Sequence, residues 1–292
     1  MPARQPVRPA APASDDGSGG GAPALQRGSL ADLLRLARLA AWAYLGQGAP
    51  PPRQPRAPRG PSFRVMTYNL NRETAGSRQI LAAIRAADAD LACLQEVSPA
   101  WLEALREIAA AYPHVLHTLD RPDGEKVVLS RYPLDEVRFA PTADGAWFPQ
   151  WLLRAATPAG AVEVGVVHLM PPAYGDARLG LRAFHDTLAS RIREIRRLWP
   201  AGRPGRRTIV LGDFNEGDWG FAGDFLRGCG LADALSAFDR HTATWRMRIR
   251  GLGLRERLDH VYHTPDLRCV RAHVLRRGDS DHLPVVADFE PA

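Results

Sequence analysis

The sequence predicts an α/β sandwich, in which helices cover packed, mixed β-sheets. Apolar segments of strand length outnumber helical segments, yet amphipathic helical segments alternate with some of them. The chain has 292 residues, 45% of them hydrophobic, and shows no internal repeat. This combination favours covered sheets over a helical bundle or a β-barrel.

Residues 1–61 are predicted to be a tail, and residues 62–292 to be the folded domain. Residues 1–28 are rich in Pro, Gly and Ala, so they offer too little apolar surface to offset the entropy of ordering. Residues 30–45 are predicted to form one short helix. It docks on the domain or on a partner, or it makes a peripheral contact with a membrane surface. The stretch that follows, 46–61, is dense in Pro and Arg and is predicted to be disordered.

Within the domain, apolar periodicity predicts the elements in order. Phe63–Asn69 and Leu91–Gln95 are apolar runs of strand length, and the segment between them, 77–87, places its apolar side chains on one helical face. A helix over 99–111 begins with a proline, which suits the first turn. The remaining predicted segments are strands at 114–119, 126–130, 150–156, 161–169, 208–211, 257–263, 267–275 and 284–290, and a helix at 177–199.

The basic character of the chain does not by itself indicate a polyanionic partner. The net charge is +6 and the isoelectric point is near 9.7. Eight arginines against three aspartates give residues 1–60 a charge of +5, which leaves the domain nearly neutral. Lys126 is the only lysine, and such replacement of Lys by Arg is typical of GC-rich coding. Global charge is therefore weak evidence for nucleic-acid binding.

Cysteine and histidine usage argues against a zinc protein. Cys93, Cys229 and Cys269 are widely spaced and form no CxxC or Cys/His pattern. The chain begins without the basic start and apolar run of a secretory signal, and no apolar run reaches the roughly 18 residues of a membrane span. We therefore expect a reducing, cytoplasmic compartment.

Polar residues at the ends of predicted strands are the feature that indicates chemistry. Loops held by a rigid sheet are where catalytic groups usually lie. Each residue alone has a structural alternative: Glu96 can cap the next helix, His168 can be a satisfied core histidine, and Asp213 can shape a turn. The ordered set favours catalysis. Its members are Asn69, Glu96, His168, Asp213, Asn215, Asp259, Asp281 and His282.

Seven short motifs occur in order along the chain, and six of them contain these residues. They are TYNLN (67–71), LQEV (94–97), LSRYPL (129–134), VVHL (166–169), LGDFNE (211–216), RLDHVY (257–262) and SDHLPV (280–285). In this order the chain resembles the endonuclease/exonuclease/phosphatase superfamily, which includes deoxyribonuclease I, repair nucleases, sphingomyelinases and inositol polyphosphate phosphatases. The resemblance covers 62–291. It implies a four-layer α/β sandwich of two packed mixed sheets flanked by helices, and a divalent-metal-dependent phosphoester hydrolase.

The resemblance also implies a metal side to the site. Phosphoester hydrolysis requires a Lewis acid, an activated water and donors that stabilise the pentacoordinate phosphorane. Glu96 is an oxygen ligand suited to Mg²⁺ or Mn²⁺, which use few carboxylates. Asn69 adds an oxygen ligand or orients Glu96, and Asp281 resembles the second carboxylate that the family places close to the metal.

The other residues are implied to handle protons and phosphate. His282 is the candidate general base, and Asp259 would hold its imidazole in the productive tautomer. Asp213 and Asn215 would grip water and phosphate, and His168 matches a histidine that contacts the phosphate or protonates the leaving group. Glu125 is a possible partner for His168, as an acidic residue is in some family nucleases, but the strand register leaves it outside the predicted site.

The sequence indicates the class of substrate less clearly than it indicates the type of reaction. The segment around Asp259 lacks the box typical of inositol polyphosphate phosphatases, and EGDWG (216–220) departs from the patterns of abasic-site and tyrosyl-DNA enzymes. The chain resembles the compact bacterial members of the superfamily. Arg246 and Arg248 point the same way if their segment is extended, and we assign them to substrate binding. The alternative is a solvent-facing edge hairpin.

Three functional hypotheses follow for a protein that we expect to be monomeric. The first is an Mg²⁺- or Mn²⁺-dependent phosphodiesterase or nuclease, with nucleic acid favoured over lipid phosphate. The second is a phosphomonoesterase acting on lipid or small-molecule phosphates at the membrane surface, with residues 30–45 resting on the membrane. The third is a catalytically silent binding module that keeps the fold and uses its arginines.

Overall fold

The structure, a computed structural model, describes part of the chain. The described residues are 51–142, 146–171, 180–199, 202, 204–218, 220–249 and 252–292. Every element below belongs to the compact unit Pro50–Ala292. The helix predicted at 30–45 lies outside the described residues, so that prediction and its membrane contact stay predictions.

Six of the described strands form a first mixed sheet. β1 pairs parallel with β2 and antiparallel with β14. In their order across the sheet, the strands are β13 (Leu267–Val274), β14 (Val285–Pro291), β1 (Phe63–Asn69), β2 (Leu91–Gln95), β4 (Val127–Ser130) and β3 (His114–His117).

A further six described strands form a second mixed sheet, in which β7 and β8 pair in parallel. In order they are β5 (Leu134–Ala140), β6 (Gln150–Thr157), β7 (Gly160–His168), β8 (Thr208–Asp213), β12 (Asp259–His263) and β9 (Ala232–Asp233). A separate antiparallel hairpin joins β10 (Trp245–Ile249) to β11 (Leu252–Glu256).

Helices cover the outer faces of the two sheets. On the first sheet lie α1 (Arg78–Ala87) and α2 (Pro99–Leu105), and on the second lie α3 (Gly180–Arg196) and α4 (Phe221–Gly228). A short helix, α5 (Ala234–Phe238), packs against β12 and β13. The predicted four-layer α/β sandwich of two mixed sheets is confirmed.

The central strands of the two sheets have continuous apolar sequences because their alternate side chains are buried on opposite faces of the sheet. In β1, Val65 belongs to the core between the sheets, whereas Met66 belongs to the core under α1 and α2. In β8, Leu211 faces the other sheet and Val210 faces the helical layer. All four side chains are fully buried. Strands buried on both faces lack a polar side, as parallel strands in covered sheets do.

Elements without a strong apolar pattern were not predicted. β5 lies at a sheet edge and has the mostly exposed sequence LDEVRFA, so it carries little apolar alternation. α4 contains Gly223 and Gly228, and glycine lowers helix propensity. The helix predicted over 99–111 is divided, with α2 followed by a 3₁₀ helix at Arg106–Ala111.

Residues 51–61, assigned to the tail, have no helix or strand and are almost all exposed. Even so, three backbone amides bond to the domain. Those of Arg53 and Arg56 donate to the carbonyl oxygens of Ala237 and Val270 at 2.7 and 3.0 Å, and that of Arg59 donates to Glu290 Oε2 at 2.7 Å. The end of the tail thus lies along α5 and the β13 edge. Among the described residues, no helix is long and apolar enough to cross a membrane.

One glycine in β8 positions the site. Gly212 has φ +149°, and a Cβ atom built on it would lie 1.9 Å from the carbonyl oxygen of Val167 on the neighbouring strand β7. Any larger residue must push the two strands apart immediately before Asp213. The sequence GD therefore places a carboxylate at a point where two backbones approach closely.

We predict that Gly212→Ala lowers the free energy of unfolding by about 2 to 4 kcal/mol, through strain and overpacking together. Urea denaturation measures the loss. The matched control is Gly253→Ala in β11, where a Cβ meets no atom within 4 Å. Equal stability of the two variants would contradict the close approach of β7 and β8.

Candidate active site

Strand register brings three predicted catalytic residues side by side. Asp213 ends β8, and it is paired in register with His168 at the end of β7 and with Asp259 at the start of β12. All three side chains are buried. Residues far apart in the sequence therefore meet at one edge of the second sheet.

The Asp213 carboxylate is the point on which both sheets converge. Its Oδ2 atom lies 3.6 Å from Nε2 of His168 and 3.6 Å from Nε2 of His282. The same oxygen accepts a hydrogen bond from Nδ2 of Asn69, on the first sheet, at 3.1 Å. Burial raises the pKa of Asp213, and the nearby Asp259 carboxylate adds to the rise, while His282 opposes it. Two imidazoles and one amide thus face a single oxygen.

His282 and Asp259 form the predicted pair. His282 Nδ1 lies 2.9 Å from Asp259 Oδ2, so Nδ1 carries the proton of this bond and Nε2 faces Asp213. The backbone amide of His282 donates to Ser280 Oγ at 3.1 Å. Burial alone would lower the pKa of His282, but the carboxylates of Asp259 and Asp213 raise it to about 10.

His168 and Glu125 form a second histidine–carboxylate pair in the site. The Nδ1 atom of His168 lies 3.3 Å from Glu125 Oε2, so the pairing that the sequence left open is present. The Phe148 ring stacks on the imidazole with centroids 3.8 Å apart and planes 11° apart. Burial lowers the pKa of His168, but the carboxylates of Glu125, Asp213 and Glu96 together outweigh burial, and the net pKa is raised.

Lys126, the only lysine in the chain, lies beneath this pair. Its Nζ is fully buried, forms an ion pair with Glu125, and donates to the carbonyl oxygen of Pro149 at 2.7 Å. Burial would raise the pKa of Glu125, but Lys126 and His168 hold it well below its usual range. A buried ammonium thus keeps Glu125 ionised next to His168.

The predicted metal side is joined by a residue that was not predicted. The backbone N–H of Asn71 donates to Asn69 Oδ1 at 3.0 Å, and the side-chain Nδ2 of Asn71 donates to Asp281 Oδ1 at 3.0 Å. Asn69 Nδ2 donates to Glu96 Oε1 at 2.9 Å. Asn69 therefore orients Glu96 here, and Trp245 Nε1 orients Asp281 through a bond of 3.1 Å to Oδ2. Asn71 lies within the motif TYNLN, but its role required a contact 210 residues away.

Backbone strain marks three residues of the site. Glu96, Asn71 and Asn215 have φ of 56°, 57° and 51°, in a region that costs non-glycine residues free energy and that is enriched at functional sites. For Asn215 this conformation lets its amide N–H donate to Asp213 Oδ1 at 2.8 Å. Its Nδ2 donates to the carbonyl oxygen of Leu169 at 2.9 Å. Asn215 thus shapes the loop that holds Asp213.

At the candidate active site, two groups of donors are suited to a divalent cation. Asp213, Asp259 and His282 have ligand atoms within 4.8 Å of one another, and Oδ1 of Asp259 is buried without a hydrogen-bond partner. Glu96 and Asp281 form the second group, joined through Asn69 and Asn71. The second group offers only oxygen atoms, which Mg²⁺ and Mn²⁺ prefer.

Of the predicted substrate-binding residues, Arg246 lies beside the site. Its backbone N–H donates to the carbonyl oxygen of Asp281 at 2.9 Å, and its side chain is exposed. Arg248 belongs to β10, but its side chain lies outside what the structure describes. The assignment of Arg248 to substrate binding stays a prediction.

Comparisons with known proteins identify the family and the fold of the chain. A model of the Endonuclease/Exonuclease/phosphatase family matches residues 66–282, and no curated protein matches the chain. An endonuclease/exonuclease/phosphatase protein of Beutenbergia cavernae is similar, with a TM-score of 0.57, 21% identity, and coverage of 80% of this chain and 72% of that one.

Two animal proteins have similar structures. TDP2 of D. rerio, in complex with a single-strand DNA product, gives a TM-score of 0.59 at 14% identity and covers 78% of this chain and 99% of its own. The human Nocturnin catalytic domain, with a bound sulfate anion, gives 0.56 at 21% identity, with coverage of 84% and 100%. At these identities, the likeness shows a shared fold.

We predict that Asp259→Asn lowers the pKa of His282 in the metal-free protein. The substitution removes a carboxylate that raises this pKa from 2.9 Å away, and burial, which favours the neutral imidazole, remains. An NMR titration of the histidine ring in EDTA measures the pKa. An unchanged value would show that Asp259 does not control the charge of His282. Asp135→Asn, at an exposed aspartate on the edge strand β5, serves as the control.

We predict that Lys126→Met lowers the free energy of unfolding by about 3 to 5 kcal/mol, because it leaves a buried carboxylate without its partner. The deficit should shrink as the pH falls through about 4.3, the unfolded-state pKa of Glu. The lowered pKa of Glu125 stabilises the wild-type protein fully above that pH, and this stabilisation is lost as the pH falls below it towards the folded-state pKa. In the variant, the penalty for burying an ionised carboxylate disappears once the carboxyl group is protonated in both the folded and the unfolded state.

Urea denaturation at about pH 7 and about pH 3, on either side of the unfolded-state pKa of Glu, measures both effects of Lys126→Met. The matched control is the double variant Glu125→Gln/Lys126→Met, which removes both charges and should recover part of the lost stability. A deficit that is independent of pH and equal in the single and double variants would contradict the ion-pair explanation.

Proposed function

The chain belongs to the endonuclease/exonuclease/phosphatase family, and from that premise we propose that it is a divalent-metal-dependent phosphodiesterase. The family resemblance of the sequence motifs is confirmed, and members of this family are hydrolases that act on phosphoesters. The observation that carries the proposal is the convergence of His168 and His282 on one oxygen of Asp213, each at 3.6 Å. That arrangement places two proton-carrying groups on either side of one carboxylate.

The proposed metal ligands are Glu96 and Asp281, with Asn69 orienting Glu96. When bound there, Mg²⁺ or Mn²⁺ would supply a Lewis acid for the phosphoryl oxygen. Asn71 and Trp245 support this assignment, because their side chains fix both oxygens of Asp281. The donors are all oxygen atoms, in keeping with a hard cation.

His282 is proposed to accept a proton from the attacking water at Nε2. Nδ1 is committed to Asp259, at 2.9 Å, so Nε2 is the free ring nitrogen for proton transfer. In the protein alone, two carboxylates raise the pKa of His282 to about 10. Added positive charge in this cluster opposes those carboxylates and lowers the pKa towards neutrality, where the imidazole can act as a base.

His168 is proposed to protonate the leaving oxygen. Glu125 raises the pKa of His168 against the effect of burial, which keeps a proton on the imidazole. The stacked Phe148 ring and the bond to Glu125 fix the ring plane, and positioning is itself a large part of catalysis. Asp213 lies between the two histidines, and Asn215 holds the Asp213 carboxylate through its backbone N–H; both are assigned to water and phosphate.

A nucleic-acid substrate is the favoured class, as the sequence had suggested. Trp147 is 58% exposed beside Phe148, and an exposed ring near the site suits stacking on a base. The D. rerio TDP2 neighbour binds a single-strand DNA product. Lipid and small-molecule phosphates form the alternative class, for a phosphomonoesterase.

We predict that the protein hydrolyses bis(p-nitrophenyl) phosphate with Mg²⁺ or Mn²⁺ and that EDTA abolishes turnover. His282→Ala should lower kcat by about 10² to 10⁴, the usual contribution of general acid–base catalysis. His114→Ala, on the edge strand β3, is the matched control. Metal-independent turnover or an unaffected His282→Ala protein would overturn the proposal, and faster hydrolysis of phosphomonoesters than of plasmid DNA would favour the alternative class.

A further inference from the structure

An open cavity of about 400 Å³ lies beside the hairpin β10–β11. Three arginines, Arg246, Arg255 and Arg276, line it together with Trp245 and Leu283. Its size is in the range of small-molecule sites. The cavity thus combines a strongly cationic lining with apolar walls.

The hairpin register brings two of these arginines together. Arg246 and Arg255 are directly opposite each other on the two strands, so their side chains leave from the same face. Like charges in this arrangement destabilise a hairpin. Among the described residues, none of the ion pairs involves Arg246, Arg255 or Arg276. Within the described chain, the Arg276 side chain makes one hydrogen bond, from Nη2 to Thr242 Oγ1 at 3.4 Å.

A second cavity rich in arginine provides a contrast. It is lined by Arg53, Arg56, Arg59 and Arg268, but there Glu290 already supplies a carboxylate, 2.8 Å from Nε of Arg268. The cavity beside the hairpin, by contrast, is lined by no carboxylate of the described chain that could pair with its arginines. An anion from outside the chain would satisfy this cluster.

The cationic cavity adjoins the candidate active site. Trp245, which lines it, donates from Nε1 to Asp281 Oδ2 at 3.1 Å and forms a backbone bridge with His282. The next residue, Arg246, donates from its backbone to the carbonyl oxygen of Asp281 at 2.9 Å. A ligand in the cavity would therefore contact Trp245 and Arg246, the two residues that bond to the proposed metal ligand Asp281 and to the proposed base His282.

We propose that this cavity is a second phosphate subsite, which binds a phosphate group of the substrate other than the one that is hydrolysed. The inference rests on the proposed function for the identity of the reacting group. Guanidinium groups bind phosphate oxygens in bidentate fashion. Two facing arginines with a third beside them match a dianionic phosphate better than they match a monoanion. The Trp245 and Leu283 walls accommodate the apolar part of the same ligand. The substrate is thus a molecule with at least two phosphate groups.

The test is a binding experiment on the full chain in EDTA, where no turnover occurs. Adenosine 3′,5′-bisphosphate is compared with adenosine monophosphate, and a 5′-phosphorylated thymidine tetranucleotide with its unphosphorylated form. We expect the extra phosphate to tighten binding by about tenfold in at least one of the two pairs, which is 1.4 kcal/mol. In Arg255→Gln/Arg276→Gln, this gain should disappear. The pair that shows the gain identifies the source of the phosphate, a small bisphosphate or a nucleic-acid strand.

The matched control is Arg85→Gln/Arg106→Gln, which removes the same charge from two exposed arginines on the helical face of the first sheet. It should keep the tenfold gain. If the control loses the tenfold gain as well, the gain comes from the overall positive charge of the protein. If Arg255→Gln/Arg276→Gln keeps the gain, the cavity is not where the extra phosphate binds. Either outcome, or no gain in the wild-type protein, overturns the subsite.

Thermal unfolding gives a second measurement that does not depend on the substrate. Inorganic phosphate should raise the Tm of the wild-type protein more than that of Arg255→Gln, because only a ligand that binds the folded state stabilises it. In phosphate-free buffer, Arg255→Gln should unfold at the same or a higher temperature, since it relieves repulsion with Arg246. A lower Tm there, with an undiminished phosphate effect, would contradict the subsite. If binding follows these expectations but bis(p-nitrophenyl) phosphate is not hydrolysed, the proposed function fails and the subsite stands.

Discussion

The site depends on the position of one carboxylate, that of Asp213, between two strands and two sheets. Its backbone is fixed by pairing with β7 on one side and β12 on the other, and Gly212 allows the close approach of β7. Its Oδ2 atom then faces groups from both sheets. The core between the sheets holds this geometry, because the strands that carry the site are buried on both faces and cannot shift independently.

Each histidine of the site has a dedicated acidic partner, and the two partners differ in their surroundings. Glu125 forms an ion pair with the buried ammonium of Lys126. In the part of the chain that the structure describes, Asp259 forms no ion pair with an arginine or a lysine. One of its oxygens contacts His282 and the other is buried without a partner. The His282 side of the site is therefore the side where added positive charge has the larger electrostatic effect.

The hairpin β10–β11 joins the candidate active site to the proposed phosphate subsite. Its first residue, Trp245, fixes Asp281 through a hydrogen bond, and the next, Arg246, presents its side chain to the cationic cavity. The proposed substrate contact Arg246 and the residue that orients the proposed metal ligand Asp281 are thus neighbours on one strand. The same hairpin was ambiguous in the sequence, because a basic, exposed hairpin looks alike whether or not it binds a ligand.

The sequence by itself determined the fold class and the family, because buried strands and helices leave apolar patterns and seven short motifs preserve their order. It also determined the eight strand-end residues, since polar groups that end apolar strands stand out locally. What it could not determine were the contacts across long sequence separations. The bond of Asn71 to Asp281, the stacking of Phe148 on His168 and the place of Lys126 under Glu125 each join different strands or loops.

Only the tertiary structure decided those relations, since strand register and sheet packing set which side chains meet. The same holds for the hairpin, where pairing of Arg246 with Arg255 turned a basic sequence into a facing pair of charges. The eight residues were therefore readable from the chain, but their distances, charges and partners came from the packing of two sheets. The physical reason is that local patterns record burial, whereas hydrogen bonds and electrostatic interactions depend on distances between residues remote in the sequence.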